Sequence, residues 1–204
     1  MYLPIHKAAV LLGVAAVSTL SLHAFPIAIP GTEGFSVIVA GTDPIVATYE
    51  GNSAGYSNDL YLELDAGGNP GMDGITSNDL FIFNNHASPV GSTLNLGSFL
   101  VGAELVFRLH VNNTGDDFFS GPASRNSDSL PHARVQGNWA PDVTLVSFED
   151  LYGTPEGVNG YNDLSFSFSN TSSSGNPIPE ASSQAAGLAL VGMMALSARR
   201  RMRR

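Results

Sequence analysis

Glu104-Leu105-Val106-Phe107-Arg108-Leu109-His110-Val111 and Leu164-Ser165-Phe166-Ser167-Phe168-Ser169 are the two stretches whose alternation decides the fold. In the first, Leu105, Phe107, Leu109 and Val111 fall on one side, opposite Val106, Arg108 and His110. In the second, Leu164, Phe166 and Phe168 oppose Ser165, Ser167 and Ser169. Side chains alternate across an extended strand, so each stretch reads as a strand with one buried face and with Ser165 and Ser167 outward. Working outward, Phe35 to Ala40, Ile45 to Glu50, Leu60 to Leu64, Leu80 to Asn84, Thr93 to Phe99, Ala133 to Gly137 and Val143 to Phe148 have the same character. They are short, rich in β-branched, aromatic and leucine residues, and punctuated by Gly, Pro, Asn and Asp. No sustained helical period interrupts them. About nine strands in one chain predict an all-β fold, a single antiparallel β-sandwich of jelly-roll-like topology.

The two ends read differently. Lys7 precedes the apolar stretch Ala8 to Leu20, and Leu22-His23-Ala24 offers a small-residue cleavage site, so residues 1–24 read as a secretory signal peptide. Cleavage after Ala24 leaves Phe25 first; cleavage after Ala28 is the alternative. At the other end, Pro177-Ile178-Pro179-Glu180-Ala181 leads into the apolar run Ala185 to Ala198 and the basic cluster Arg199, Arg200, Arg201, Met202, Arg203, Arg204. The prolines keep the chain extended, the apolar run can enter a bilayer, and arginines resist transfer across it. A permanent span needs about 20 apolar residues, so a shorter run fits transient membrane anchoring better.

This order of parts resembles the PEP-CTERM tail of Gram-negative bacteria, with Ala181 standing where the short motif has its second proline. The resemblance implies that an exosortase-type membrane protease cuts near Pro179-Glu180 and releases the protein to the cell surface or the extracellular matrix. The organisation expected is therefore a signal peptide over 1–24, a β-sandwich over 25–170, a flexible polar spacer and Pro-Glu motif over 171–180, and a hydrophobic sorting helix with its arginines over 181–204.

Charge and cysteine content narrow the function classes. Residues 25–176 carry 17 of the 18 acidic residues against only Arg108, Arg125 and Arg134, a net charge of −14 that the whole-chain value of −9 conceals. Such a surface repels phosphate backbones, so nucleic acid is excluded as a partner. It can attract divalent cations or simply keep an exported chain soluble. The chain has no cysteine, so neither disulfides nor a lipid-modified cysteine hold it.

Ser57-Asn58-Asp59-Leu60 recurs as Ser77-Asn78-Asp79-Leu80 and again in Tyr161-Asn162-Asp163-Leu164, each placing Asn-Asp at the mouth of a strand. Local Asx-turns explain the first two copies. The third has acidic neighbours: Glu149 and Asp150 end one strand, a loop over Gly153 to Gly160 follows, and Asn162 and Asp163 open the next. A hairpin would gather Glu149, Asp150, Asn162 and Asp163 at one end of a sheet. Hard oxygen ligands beside a Gly-rich loop suit Ca²⁺, here as a weak structural site.

Phe148-Glu149-Asp150-Leu151-Tyr152-Gly153 followed by Gly160-Tyr161-Asn162-Asp163-Leu164-Ser165-Phe166 resembles the C-terminal signature of a domain of unknown function in PEP-CTERM and other secreted bacterial proteins. Asn84-Asn85-His86-Ala87, Gly102 to Leu109 and Gly121 to Asn126 add to the likeness, which covers about Ser57 to Asn170. It implies a β-sandwich, a calcium-binding acidic loop and no assigned activity. The loop aspartate of that signature before Tyr161 is absent here, with Glu156 and Asn159 nearby instead.

Other candidates are weaker. The acidic loop Asp65 to Gly74 reads as a turn, Asp116-Asp117 as a solvated loop tip, and His86, His110 and His132 share no metal-ligand spacing. No nucleophile elbow, zinc-protease motif or phosphate loop occurs. The leading reading is a noncatalytic structural or adhesive module associated with exopolysaccharide. The alternative is a carbohydrate-binding or carbohydrate-active domain, with Trp139 or Tyr61 stacking on a sugar; as the only tryptophan, Trp139 reads first as a core residue. The sorting reading has a direct test. Intact-mass analysis of surface-released material should find neither Met1 to Ala24 nor the segment after about Glu180, and replacing the five C-terminal arginines by glutamine should leave unprocessed precursor.

Overall fold

The computed structural model describes residues 25–153 and 160–175; the signal peptide, the loop residues 154–159, the Pro177, Pro179 and Glu180 motif, and the C-terminal run with Arg199, Arg200 and Arg201 lie outside the described residues. Twelve strands follow in chain order: β1 Val37–Val39, β2 Ile45–Gly51, β3 Asn58–Leu62, β4 Leu80–Asn84, β5 Thr93–Gly97, β6 Glu104–Leu105, β7 Phe107–Val111, β8 Asp117–Phe119, β9 Ala133–Ala140, β10 Val143–Phe148, β11 Leu164–Ser169 and β12 Thr171–Ser173. Two single-turn 3-10 helices, Thr76–Asn78 and Ala123–Arg125, are the only helical elements among the described residues. The fold is all-β, as the alternation predicts, and every strand pairing is antiparallel.

The strands form a five-stranded sheet in the order β5-β2-β11-β10-β9, a four-stranded sheet β4-β3-β7-β8 and a small sheet β12-β1-β6. The two larger sheets meet through aromatic side chains. Tyr49 on β2 lies 6.0 Å from Phe83 on β4, Phe83 stacks on Phe166 of β11 at 6.1 Å, and Phe107 of β7 stacks on Phe168 at 4.1 Å. Leu105, Phe107, Leu109, Val111, Leu164, Phe166 and Phe168 are all fully buried, as their shared faces predict.

The expected strand from Glu104 to Val111 is divided at Val106. Leu105 pairs with Val37 in the small sheet, whereas Phe107 pairs with Leu62 in the four-stranded one, so the chain changes sheets there. A second change falls at Asn170, whose positive φ of 55° turns the chain from β11 into β12. Its side-chain amide donates to the carbonyls of Gly41 and Asp43, fixing a left-handed conformation that asparagine tolerates better than most residues. Thr171 to Ser173, expected to begin a flexible spacer, are therefore a buried strand paired with β1. Asp117, expected on a loop tip, opens β8.

Ser165 and Ser167 are not outward either. Ser165 is fully buried with its hydroxyl 2.7 Å from Ser147 Oγ, and Ser167 donates to Glu50. The cause is the segment around Ala28, which covers that face of β10 and β11 and donates its backbone N–H to Ser147 Oγ at 2.9 Å. Phe25 belongs to the same cover, its side chain resting against Gly51.

Arg108 is buried on the far face of the four-stranded sheet, held by Glu63 at 2.7 Å, Asp79 at 2.8 Å and Asp117 at 3.0 Å. Three carboxylates share one guanidinium. Burial pushes Glu63 up to about 7, against the hydrogen bond from Arg108, and the neighbouring Asp79 adds to the rise. Hydrogen bonds to the three acids in turn hold the Arg108 charge more firmly than burial opposes it.

Two stability predictions follow from this packing. Phe166→Ala should cost about 3 to 5 kcal/mol in urea unfolding, and Ser165→Ala about 1 kcal/mol, because it removes a buried hydrogen bond. Loss at Phe166 with none at Ser165 would show that the Ser147–Ser165 hydrogen bond contributes nothing. Glu63 keeps its proton in the folded protein up to about 7, but releases it near its ordinary value of 4.5 when unfolded. Its contribution is thus complete below that lower value and is lost as pH rises through the higher one. Glu63→Gln should flatten this part of the pH–stability profile; an unchanged slope would place the titration on another group.

Candidate metal centre

β10 and β11 pair from Val143↔Ser169 to Phe148↔Leu164, so residues 149 and 150 leave one strand where 162 and 163 enter the other. Ligand oxygens of Glu149, Asp150 and Asp163 all lie within 4.8 Å of one another. Glu149 and Asp150 are buried, Asp163 partly so. Asp163 Oδ2 accepts the Asp150 backbone N–H at 2.9 Å, and Glu149 Oε1 accepts that of Leu151 at 3.2 Å. Beside them opens a pocket of about 240 Å³ lined by Ser53, Tyr56, Leu151 and Asn162 as well as Asp150 and Asp163.

Asn162 stands apart from the other three. Its Nδ2 donates to Ser53 Oγ at 2.6 Å and its carbonyl accepts the Ser53 N–H, so it closes the pocket rather than joining the carboxylates. Successive side chains of an extended segment point oppositely, and Asp163 takes the inward position. The fourth oxygen-bearing group at the cluster is Asn58, from the first copy of the repeated Asn-Asp pair. It is fully buried, donates Nδ2 to Asp150 Oδ2 at 2.8 Å, and leaves its Oδ1 without a partner among the described residues. The middle copy serves elsewhere, Asp79 binding Arg108.

Behind the carboxylates, His132 is completely buried between Asp128 Oδ2 at 2.7 Å and the Glu149 carbonyl at 3.2 Å, and Phe118 stacks on its ring. Asp128 Oδ2 also accepts the N–H of Gly153. These contacts fix the start of the loop after β10. Sequence reasoning missed Asn58, Asp128 and His132 as neighbours of the site; only the repeat around Asn58 hinted at one of them.

Burial dominates the electrostatics of Asp163. Burial, together with the charges of Asp150 and Glu149, pushes Asp163 up to about 8 despite the backbone hydrogen bond it accepts. Three carboxyl groups this close keep a proton or share a cation. Calcium holds its oxygens at about 2.3 to 2.6 Å, so ligands across one ion stand at most about 5 Å apart. The observed separations fit within that sphere. An all-oxygen set disfavours zinc, which takes nitrogen and sulfur.

The remaining candidates fall outside this site. Asp65 Oδ1 accepts the N–H groups of Gly67 and Asn69, a plain turn, as its sequence suggests. Trp139 is 38% exposed near the end of β9 and is not a core residue. Compared with protein-family models, curated proteins and solved structures, the chain matches none.

Removing a buried like charge should help the protein when no cation is present. In chelator above about pH 8, where Asp163 has released its proton, Asp163→Asn should therefore raise the melting temperature measured by circular dichroism, whereas Asn162→Ala should lower it slightly through loss of the Ser53 bond.

Proposed function

We propose that this chain is an exported, noncatalytic module of the cell surface or extracellular matrix, associated with exopolysaccharide and clamped by Ca²⁺ at the open end of β10 and β11. Its architecture is a jelly-roll-like β-sandwich. The ring contacts between the larger sheets, and the chain crossings at Val106 and Asn170, support that reading. The observation that carries the function is the convergence of ligand oxygens of Glu149, Asp150 and Asp163 within 4.8 Å of one another, with Asp150 and Asp163 lining the pocket beside them. An exported chain without cysteine gains most from a clamp at such a place, since it joins a strand end to a strand start across a loop.

Export and release rest on the sequence: the signal peptide, Pro177, Pro179 and Glu180 for an exosortase-type protease, and Arg199, Arg200 and Arg201 for transient anchoring in the inner membrane. Cleavage after Ala24 fits the fold better than cleavage after Ala28, because it retains the cover formed by Phe25 and Ala28.

A melt of the purified protein tests the clamp. Calcium a hundredfold above its dissociation constant should stabilise the protein by about 2.7 kcal/mol. Mg²⁺ should do much less, and the shift should vanish in the Asp150→Asn/Asp163→Asn double variant. Equal melting temperatures in chelator and in millimolar calcium remove the clamp. A shift that Mg²⁺ reproduces, or that survives the double substitution, assigns the effect to general screening.

A further inference from the structure

The outer face of the four-stranded sheet carries two cross-strand rows. Register places Phe81, Tyr61, Arg108 and Phe119 side by side on β4, β3, β7 and β8. The next row is Asn84, Asp59, His110 and Asp117 on the same four strands. Four strands at about 4.8 Å spacing make each row roughly 14 Å long, longer than a single sugar ring.

The aromatic row is fixed in place. Tyr61 and Phe81 meet edge to face at 5.5 Å, and the Arg108 guanidinium sits 4.4 Å from the Tyr61 ring centre. Three carboxylates immobilise that guanidinium, which pins Tyr61 from one side. Phe81, at the row's end, remains 48% exposed. The polar row is also ordered. Asn84 Nδ2 donates to Asp59 Oδ1 at 2.7 Å and His110 Nδ1 meets Asp117 Oδ1 at 2.9 Å, leaving Asp59 Oδ2 and His110 Nε2 without partners among the described residues.

We propose that this face is a binding platform for a neutral polysaccharide, with the aromatic row stacking on sugar rings and the adjacent polar row bonding their hydroxyls. Aromatic rings offer flat apolar area with little conformational entropy to lose, and a few placed polar groups give orientation. A platform already rigid before binding loses less on association. Charge chooses among polymers: Asp59, Asp79 and Asp117 outnumber Arg108, and Glu63 joins them as pH rises through about 7, so an anionic chain is repelled and a neutral one is not. The proposal rests on the export reading only in that the protein must meet such a polymer outside the cell.

Native affinity electrophoresis of the purified full-length protein tests it, through gels containing hydroxyethyl cellulose, dextran or alginate. Retardation is expected in at least one neutral gel and not in alginate. Phe81→Ser should weaken it about tenfold or more with an unchanged melting temperature, Phe119→Ala should weaken it as well, and Trp139→Ala should leave it intact. No retardation in either neutral gel overturns the proposal, as does retardation confined to alginate or indifferent to Phe81→Ser and Phe119→Ala. If Phe81→Ser instead abolishes self-association in sedimentation runs, the face is an interface between copies and the proposal is likewise overturned. Export is not assayed here, so failure leaves the sorting reading to its own intact-mass test.

Discussion

A chain without cysteine must be held by what its sheets can bury, and here that is a seam of rings between two sheets. Tyr49, Phe83 and Phe166 form one end of the seam and Phe107 with Phe168 the other. Each ring comes from a different strand or from a different place along one, so the contacts bind β2, β4, β7 and β11 into a common core. Leucine and valine from the same faces fill the remainder. Without this seam neither carboxylate cluster would have a rigid frame to be buried in.

The two clusters meet the same electrostatic difficulty, the burial of several carboxylates together. Around Arg108 the chain supplies its own cation, and Glu63, Asp79 and Asp117 are arranged around it within 3.0 Å. Around Asp163 the acids accept hydrogen bonds from backbone N–H groups and from Asn58. Desolvated carboxylates in the second arrangement retain protons or recruit a cation from outside.

Local pattern carried much of the fold in the sequence. β4, β10 and β11 occupy the spans their composition suggests, because a strong apolar alternation bounded by turn residues leaves little freedom. What escaped was decided by distant partners. β8 looked like a loop because Asp117 is paid no regard by propensity until Arg108 is beside it, and β12 is a run of Thr and Ser that only β1 turns into a strand. Ser165 is polar yet buried because the segment around Ala28 lies over it. The site was legible in the same degree: strand ends brought Glu149, Asp150 and Asp163 together, whereas Asn58 and His132 arrive from strands and loops far away in the chain.

The pairing of β1 with β12 joins nearly the first strand to the last, Val37 opposite Ser173. A chain that emerges N-terminus first cannot complete this ladder until residue 173 is out, and such distant closure is slow. The edge of β1 that receives β12 stays open until then.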